Sequence, residues 1–185
     1  MTKLDEILAF NENFVENKEY IPYVSDVIPN RKIAIVTCMD ARLIELLHKA
    51  INIKNGDAKI IKTAGAQINN PYGSIIRSLL VAVYGMKAEE ILVIGHRKCG
   101  MNSMDPDKLI STMVERGIDP NTITELEESG LDIHDWLKGF ENLEDEVTRS
   151  VEVVRSHPLF ASDIPVHGLV IDPTTGKLDV VTSGY

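Results

Sequence analysis

Cysteine is scarce in this chain, which has two, Cys38 and Cys99. Two thiols close one disulfide at most, so no disulfide framework holds the fold. The chain also lacks the C-x-x-C spacing of a thiol redox protein. Positive charge is short as well, with 19 Lys and Arg against 28 Asp and Glu and a formal net charge of −9. So acidic a chain offers no basic footprint to nucleic acid or to an anionic membrane surface. Long apolar runs are missing, and none approaches the ~20 residues that a membrane span needs. The N-terminal stretch turns acidic by Asp5 and has no apolar segment of a signal peptide, which gives the expectation of a cytoplasmic protein. No internal repeat, low-complexity segment or linker divides the sequence. What remains is an ordinary globular composition, 44% hydrophobic and 25% charged, over 185 residues. That is enough for one domain spanning 1–185 with its own core.

Two stretches organise the rest. Ile33-Ala-Ile-Val-Thr-Cys38-Met-Asp40-Ala-Arg42 and Ile91-Leu-Val-Ile-Gly-His96-Arg-Lys-Cys99-Gly100 each begin as a short β-branched apolar run, the mark of a buried parallel strand. Each run then stops at a metal-ligand type. His96 and Cys99 are spaced so that one turn of backbone aims both at one point, and Cys38 supplies a third ligand. Two thiolates and one imidazole suit zinc, one ion per chain, and three protein ligands leave a fourth position for water.

Along the chain, Leu4, Ile7, Leu8, Phe14 and Val15 recur at helical spacing and predict a helix over about residues 2–17. It either packs on its own domain or crosses to a partner subunit. Residues 21–30 read as an irregular connection. Strands are expected at about 32–38, 58–63, 90–95 and 164–171, with helices at 43–50 and from Ser74 to Tyr84, the latter capped by Gly85. From Met104 to Pro158 the pattern is helical and acidic, with Asp105-Pro106 as a cap, Gly117 as a stop and Trp136 as an apolar anchor. Asp172 to Gly176 form a hairpin turn into an antiparallel edge strand over 177–181. The fold class is therefore α/β, a central parallel sheet of order 2-1-3-4 with an antiparallel edge strand, flanked by helices. In that order strands one and three are neighbours. Their carboxyl ends face the crevice where strand order reverses, the place such sheets bind ligands.

Asp40 and Arg42 follow Cys38 on the strand-to-helix turn. A carboxylate there either takes the fourth metal position or accepts a hydrogen bond from a bound water, and the Arg fork keeps it ionised. The plainer reading is a carboxylate near a helix N-terminus. The combination Cys38-x-Asp40-x-Arg42 with His96-x-x-Cys99-Gly100 resembles the β-class carbonic anhydrases, and most closely their short archaeal and Gram-positive branch. Lys62-Thr-Ala-Gly65 and Val166 to Asp172 extend the resemblance over most of the chain.

That resemblance implies zinc on Cys38, His96 and Cys99, and Asp40 alternating between zinc and Arg42. It implies reversible hydration of carbon dioxide to bicarbonate by a zinc-bound hydroxide, in a homodimer or higher homo-oligomer joined through the N-terminal arm, residues 1–30. Ala64, Gly65 and Gly100 are the expected substrate-pocket residues. His48 is a conceivable proton shuttle on a helix surface, His134 and His157 weaker ones, and His167 is expected to be structural. Some features depart from the family pattern. Pro29 stands where many members carry a Gln, Gln67 is the chain's one glutamine, Thr63 and Ala66 occupy places often held by Asn, and Arg97-Lys98 add two positive charges beside the metal. Three further readings stay open: a hydrolase of a carbon dioxide analogue such as carbon disulfide, a non-catalytic zinc protein of the same fold, and a thiol redox protein.

Overall fold

The computed structural model describes residues 1–185. Five strands form one sheet: β1 (Ile33–Cys38), β2 (Ala58–Thr63), β3 (Glu90–His96), β4 (Val166–Ile171) and β5 (Leu178–Thr182). Their order is β2-β1-β3-β4-β5, with β5 antiparallel to β4 and the others parallel. This is the expected topology. Burial on both faces explains why β1 and β3 read as continuous apolar runs, and Ala34, Ile35, Val36, Ile91, Val93 and Ile94 are all inaccessible to solvent.

Period two divides that sheet into two cores. Ala34, Val36, Ile91 and Val93 pack with Ile76 and Leu79 of helix α3 (Ser74–Leu80). Ile35 and Ile94 pack on the other face with Leu43 and Leu47 of helix α2 (Leu43–Ala50). A long helix numbered α7 (Leu143–Arg155) reaches both, through Val147 on one side and Val151 and Val154 on the other. It lies so close to the sheet that a Cβ on Gly95 would stand 2.8 Å from Val147 Cγ2 and 2.9 Å from Leu143 Cδ1. Gly95→Ala is therefore expected to destabilise the protein by about 1–3 kcal/mol through overpacking. The check is the urea midpoint, and an unchanged midpoint would mean that α7 retreats without cost.

Between β3 and α7 lie α4 (Pro106–Glu115), α5 (Pro120–Glu128) and α6 (Ile133–Leu137). Asp105 caps α4 by accepting from the Asp107 N–H at 3.0 Å, and Gly117 follows in a left-handed conformation at φ 102°, as the sequence suggested. Trp136 does not anchor this region. It is 65% exposed, and Ile133 on the same short helix is the buried residue. Gly85 is likewise no left-handed cap. The chain leaves α3 through a wide π turn, with the Met86 N–H donating to the Val81 carbonyl at 3.0 Å, which keeps Ala82 and Val83 in the core.

The N-terminal helix α1 (Lys3–Glu16) is closed by a Thr2–Asp5 capping box, yet none of its residues is buried. Leu4, Ile7, Leu8 and Phe10 are all more than half exposed.

Candidate metal centre

The carboxyl ends of β1 and β3 lie side by side, and the expected ligands meet there. One ligand atom each from Cys38, His96 and Cys99 falls within 4.8 Å of the others, and all three residues are buried. The two Sγ atoms are 3.8 Å apart, far beyond the ~2.05 Å of a disulfide, and both thiols are free. Two thiolates on a tetrahedral zinc, each about 2.3 Å from the ion, would stand about 3.8 Å apart. His96 Nδ1 lies 3.0 Å from the Arg97 carbonyl oxygen, to which its N–H donates. That fixes the tautomer and leaves Nε2 bare towards the cysteines, buried with no hydrogen-bond partner. A buried imidazole nitrogen without a partner, beside two thiols at that spacing, fits zinc by both geometry and donor type.

Backbone amides prepare the sulfurs. The Cys38 thiol is held below the ordinary thiol range by the Cys99 thiol first, then by His96 and by N–H groups of Asp40 and Gly65. With that thiolate beside it, and with burial adding to the effect, Cys99 keeps its proton well above the ordinary thiol range. Gly65 can direct its N–H inward because it sits at φ 67°, and a Cβ there would come within 3.0 Å of Met101 Cβ and of Phe140 Cε1.

Asp40 stands at the edge of this cluster. Oδ1 accepts from Arg42 Nε at 2.9 Å and Oδ2 from Arg42 Nη2 at 2.7 Å, while the Arg42 backbone N–H also donates to Oδ1 at 2.9 Å. Those bonds from Arg42 hold the carboxyl below the usual carboxylate range, so it is ionised across neutral pH. Oδ2 also lies 3.7 Å from His96 Nε2, so the carboxylate borders the converging ligand atoms without joining them. Arg42 is braced from the other side, where its Nη2 donates to the Lys98 carbonyl at 2.9 Å. Lys98 reaches that position in a left-handed conformation, φ 54°, rare for a non-glycine residue. No residue type signals this brace, because a carbonyl is common to every residue.

The expected pocket residues part company. Ala64 lines a depression of about 310 Å³ with Thr63, Gln67 and Met101, Gly65 is buried beneath, and Gly100 lines a separate depression with Ser103 and Met104. His48 is turned to its own helix, with Nδ1 against the Ile44 carbonyl. His134 pairs on the surface with Asp107. His157 and His167 are buried, and His167 is structural as expected, accepting from the Gly184 N–H at 3.0 Å.

Residues 33–178 match the carbonic anhydrase family. The chain belongs to the β-carbonic anhydrases. A protein of Bacillus subtilis named "Putative carbonic anhydrase YvdA" is 48% identical over 185 residues, covering all of this chain and 94% of that one. The crystal structure of β-carbonic anhydrase isoform I from Trichomonas vaginalis superposes with a TM-score of 0.91 at 38% identity, covering 100% of both chains. A carbon disulfide hydrolase from Acidithiobacillus thiooxidans is 30% identical over 157 residues, covering 80% of this chain and 76% of that one.

Proposed function

We propose that this β-carbonic anhydrase family member catalyses the reversible hydration of carbon dioxide to bicarbonate, with zinc held by Cys38, His96 and Cys99. The observation that carries the reading is the open ligand set. Three donor atoms converge while Asp40, the one carboxylate at their edge, is tied to Arg42. Zinc in such a site supplies a Lewis acid that brings the pKa of a water from ~15.7 towards ~7. The remaining work falls to side chains. Asp40, kept ionised and aimed by Arg42, accepts a proton-bearing oxygen's hydrogen bond and turns its lone pair towards the substrate carbon. Arg42, braced by Lys98, keeps Asp40 from entering the coordination sphere, which would close the site.

The experiment is stopped-flow carbon dioxide hydration by zinc-quantified protein from about pH 6.5 to 9. Zinc-dependent activity rising on the alkaline side is expected, because two thiolates weaken the Lewis acid relative to a site built of imidazoles. Full zinc with no hydration at any pH would overturn the reading. The second reading, carbon disulfide hydrolysis, draws on the relative of that name and would then be assayed on the same samples.

We further propose that α1 joins two copies of the chain. A helix that buries none of its own residues while exposing Leu4, Ile7, Leu8 and Phe10 supports this. The double substitution Ile7→Glu with Leu8→Glu is expected to shift the protein from dimer to monomer in sedimentation velocity. An unchanged sedimentation coefficient would remove α1 from the interface.

A further inference from the structure

Beyond Cys99 the chain leaves the sheet for α4, α5 and α6, and from residue 100 to residue 139 only Ile133 is buried. Phe140 brings it back. It is 7% exposed and packs in the same core cluster as Cys38 and Cys99. Its backbone N–H donates to the Met101 carbonyl at 3.1 Å, and its carbonyl accepts from the Ser103 N–H at 2.8 Å. These two bonds form an isolated parallel bridge between Asn102 and Phe140, outside the sheet. Gly139 allows so close a pairing, since a Cβ there would stand 1.8 Å from the Met101 carbonyl oxygen.

Two residues held by Phe140 are the ones that serve the sulfurs. Met101 directs its N–H to Cys99, and Gly65 directs its own to Cys38. The Phe140 backbone holds the first through the Met101 carbonyl. Its ring holds the second, with Cε1 only 3.0 Å from where a Cβ on Gly65 would stand. Gly65 sits at φ 67°, and a glycine has other conformations open to it, so packing must select this one. One residue from a third segment thus sets two amides that converge on sulfurs 3.8 Å apart. Hydrogen bonds to a thiolate draw charge from it, so they govern how much the sulfur gives to a metal and how firmly it is placed.

We propose that Phe140 is a positioning residue for the metal centre, locking the Gly65 and Met101 amides onto the two cysteine sulfurs. This rests on the reading of Cys38, His96 and Cys99 as zinc ligands. Phe140 acts through the two amides and takes no part in proton transfer. Lost packing alone would lower stability and leave both amides on their sulfurs.

The test uses full-length wild type, Phe140→Leu, Phe140→Tyr, Gly139→Ala and Val151→Ala. Phe140→Leu keeps the core filled but loses the ring edge, and Phe140→Tyr restores it. Val151→Ala loosens the opposite core, away from the sulfurs, and controls for lost stability alone. Three quantities are measured: amide hydrogen exchange by NMR, zinc affinity by chelator competition, and the thiolate-to-metal absorption band of the cobalt(II)-substituted protein. In Phe140→Leu the Gly65 and Met101 amides should exchange at least about tenfold faster, and the zinc Kd should rise about tenfold. The cobalt band should move to longer wavelength, because sulfurs relieved of hydrogen bonds give charge to the metal more readily. Gly139→Ala should release the Met101 amide and leave that of Gly65 protected. Phe140→Tyr should return towards wild type. Both amides protected as in wild type, with an unmoved cobalt band, in Phe140→Leu would overturn the proposal. So would a Val151→Ala variant that matches Phe140→Leu in all three quantities. Wild type that binds neither zinc nor cobalt would instead overturn the metal reading. Hydrogen exchange in the metal-free protein would still decide whether Phe140 holds the two amides.

Discussion

Replacing Cys38 by serine is expected to remove the metal and the activity together. Bound zinc should fall from one per chain to below about a tenth after dialysis, and carbon dioxide hydration should fall at least about a thousandfold. The reason lies in how the three ligands are held. Cys38 and Cys99 end up 3.8 Å apart because β1 and β3 are hydrogen-bonded neighbours, and His96 offers a bare Nε2 because its other nitrogen is tied to the Arg97 carbonyl. A serine at residue 38 keeps the shape but offers a hydroxyl whose proton a divalent ion does not readily displace, where the native thiol is held below the ordinary thiol range. Two remaining ligands cannot fix a tetrahedral ion. A ligand that binds only the folded state adds about 4 kcal/mol of stability at a thousandfold excess over its Kd, so the melting temperature should fall to that of zinc-stripped wild type. Inductively coupled plasma analysis and thermal melts on the same samples check both parts. A variant that retains stoichiometric zinc would show that Cys38 is not a ligand.

The meeting of Cys38, His96 and Cys99 was legible in the sequence for a physical reason. Parallel strands buried on both faces leave an unbroken apolar signature, and a thiol or imidazole at the end of such a run has few structural roles. Two such runs with matching ends specify neighbouring strands and one crevice, which is the β2-β1-β3 order observed. The acidic helical stretch from α4 to α6 carried no comparable signal. Its short helices each bury one side at most, so hydrophobicity alone could not say that Ile133 faces inward while Trp136 stands at the lip of the depression. Parts of the site built from backbone were out of reach for a different reason. The Gly65 N–H at Cys38 and the Lys98 carbonyl at Arg42 depend on left-handed conformations at φ 67° and 54°. The glycine hinted at the first, and nothing in Lys98 hinted at the second.

Asp40→Asn is the complementary substitution, expected to keep zinc and lose activity. The asparagine oxygen still accepts from the Arg42 backbone N–H, as Asp40 Oδ1 does at 2.9 Å, so the turn should hold. What it loses is the charge-assisted pair with the guanidinium and the carboxylate that orients the reacting oxygen, worth about a hundredfold or more in kcat. The pH profile separates this from a metal defect. Arg42 depresses the Asp40 pKa, so the carboxylate is already charged well below neutrality. A group with a depressed pKa contributes above its unfolded value of about 3.9 and is lost only as the pH falls towards its folded one. It therefore does not titrate between about pH 6.5 and 9, and an alkaline rise in that window cannot be its ionisation. Asp40→Asn should lower the activity at every pH while leaving the midpoint of the rise within a few tenths of a unit. A midpoint shift of a full unit with the plateau preserved would place Asp40 in tuning the metal water instead of orienting it. Unchanged activity would take Asp40 out of the mechanism and leave Arg42 and the Lys98 brace as features of the turn alone.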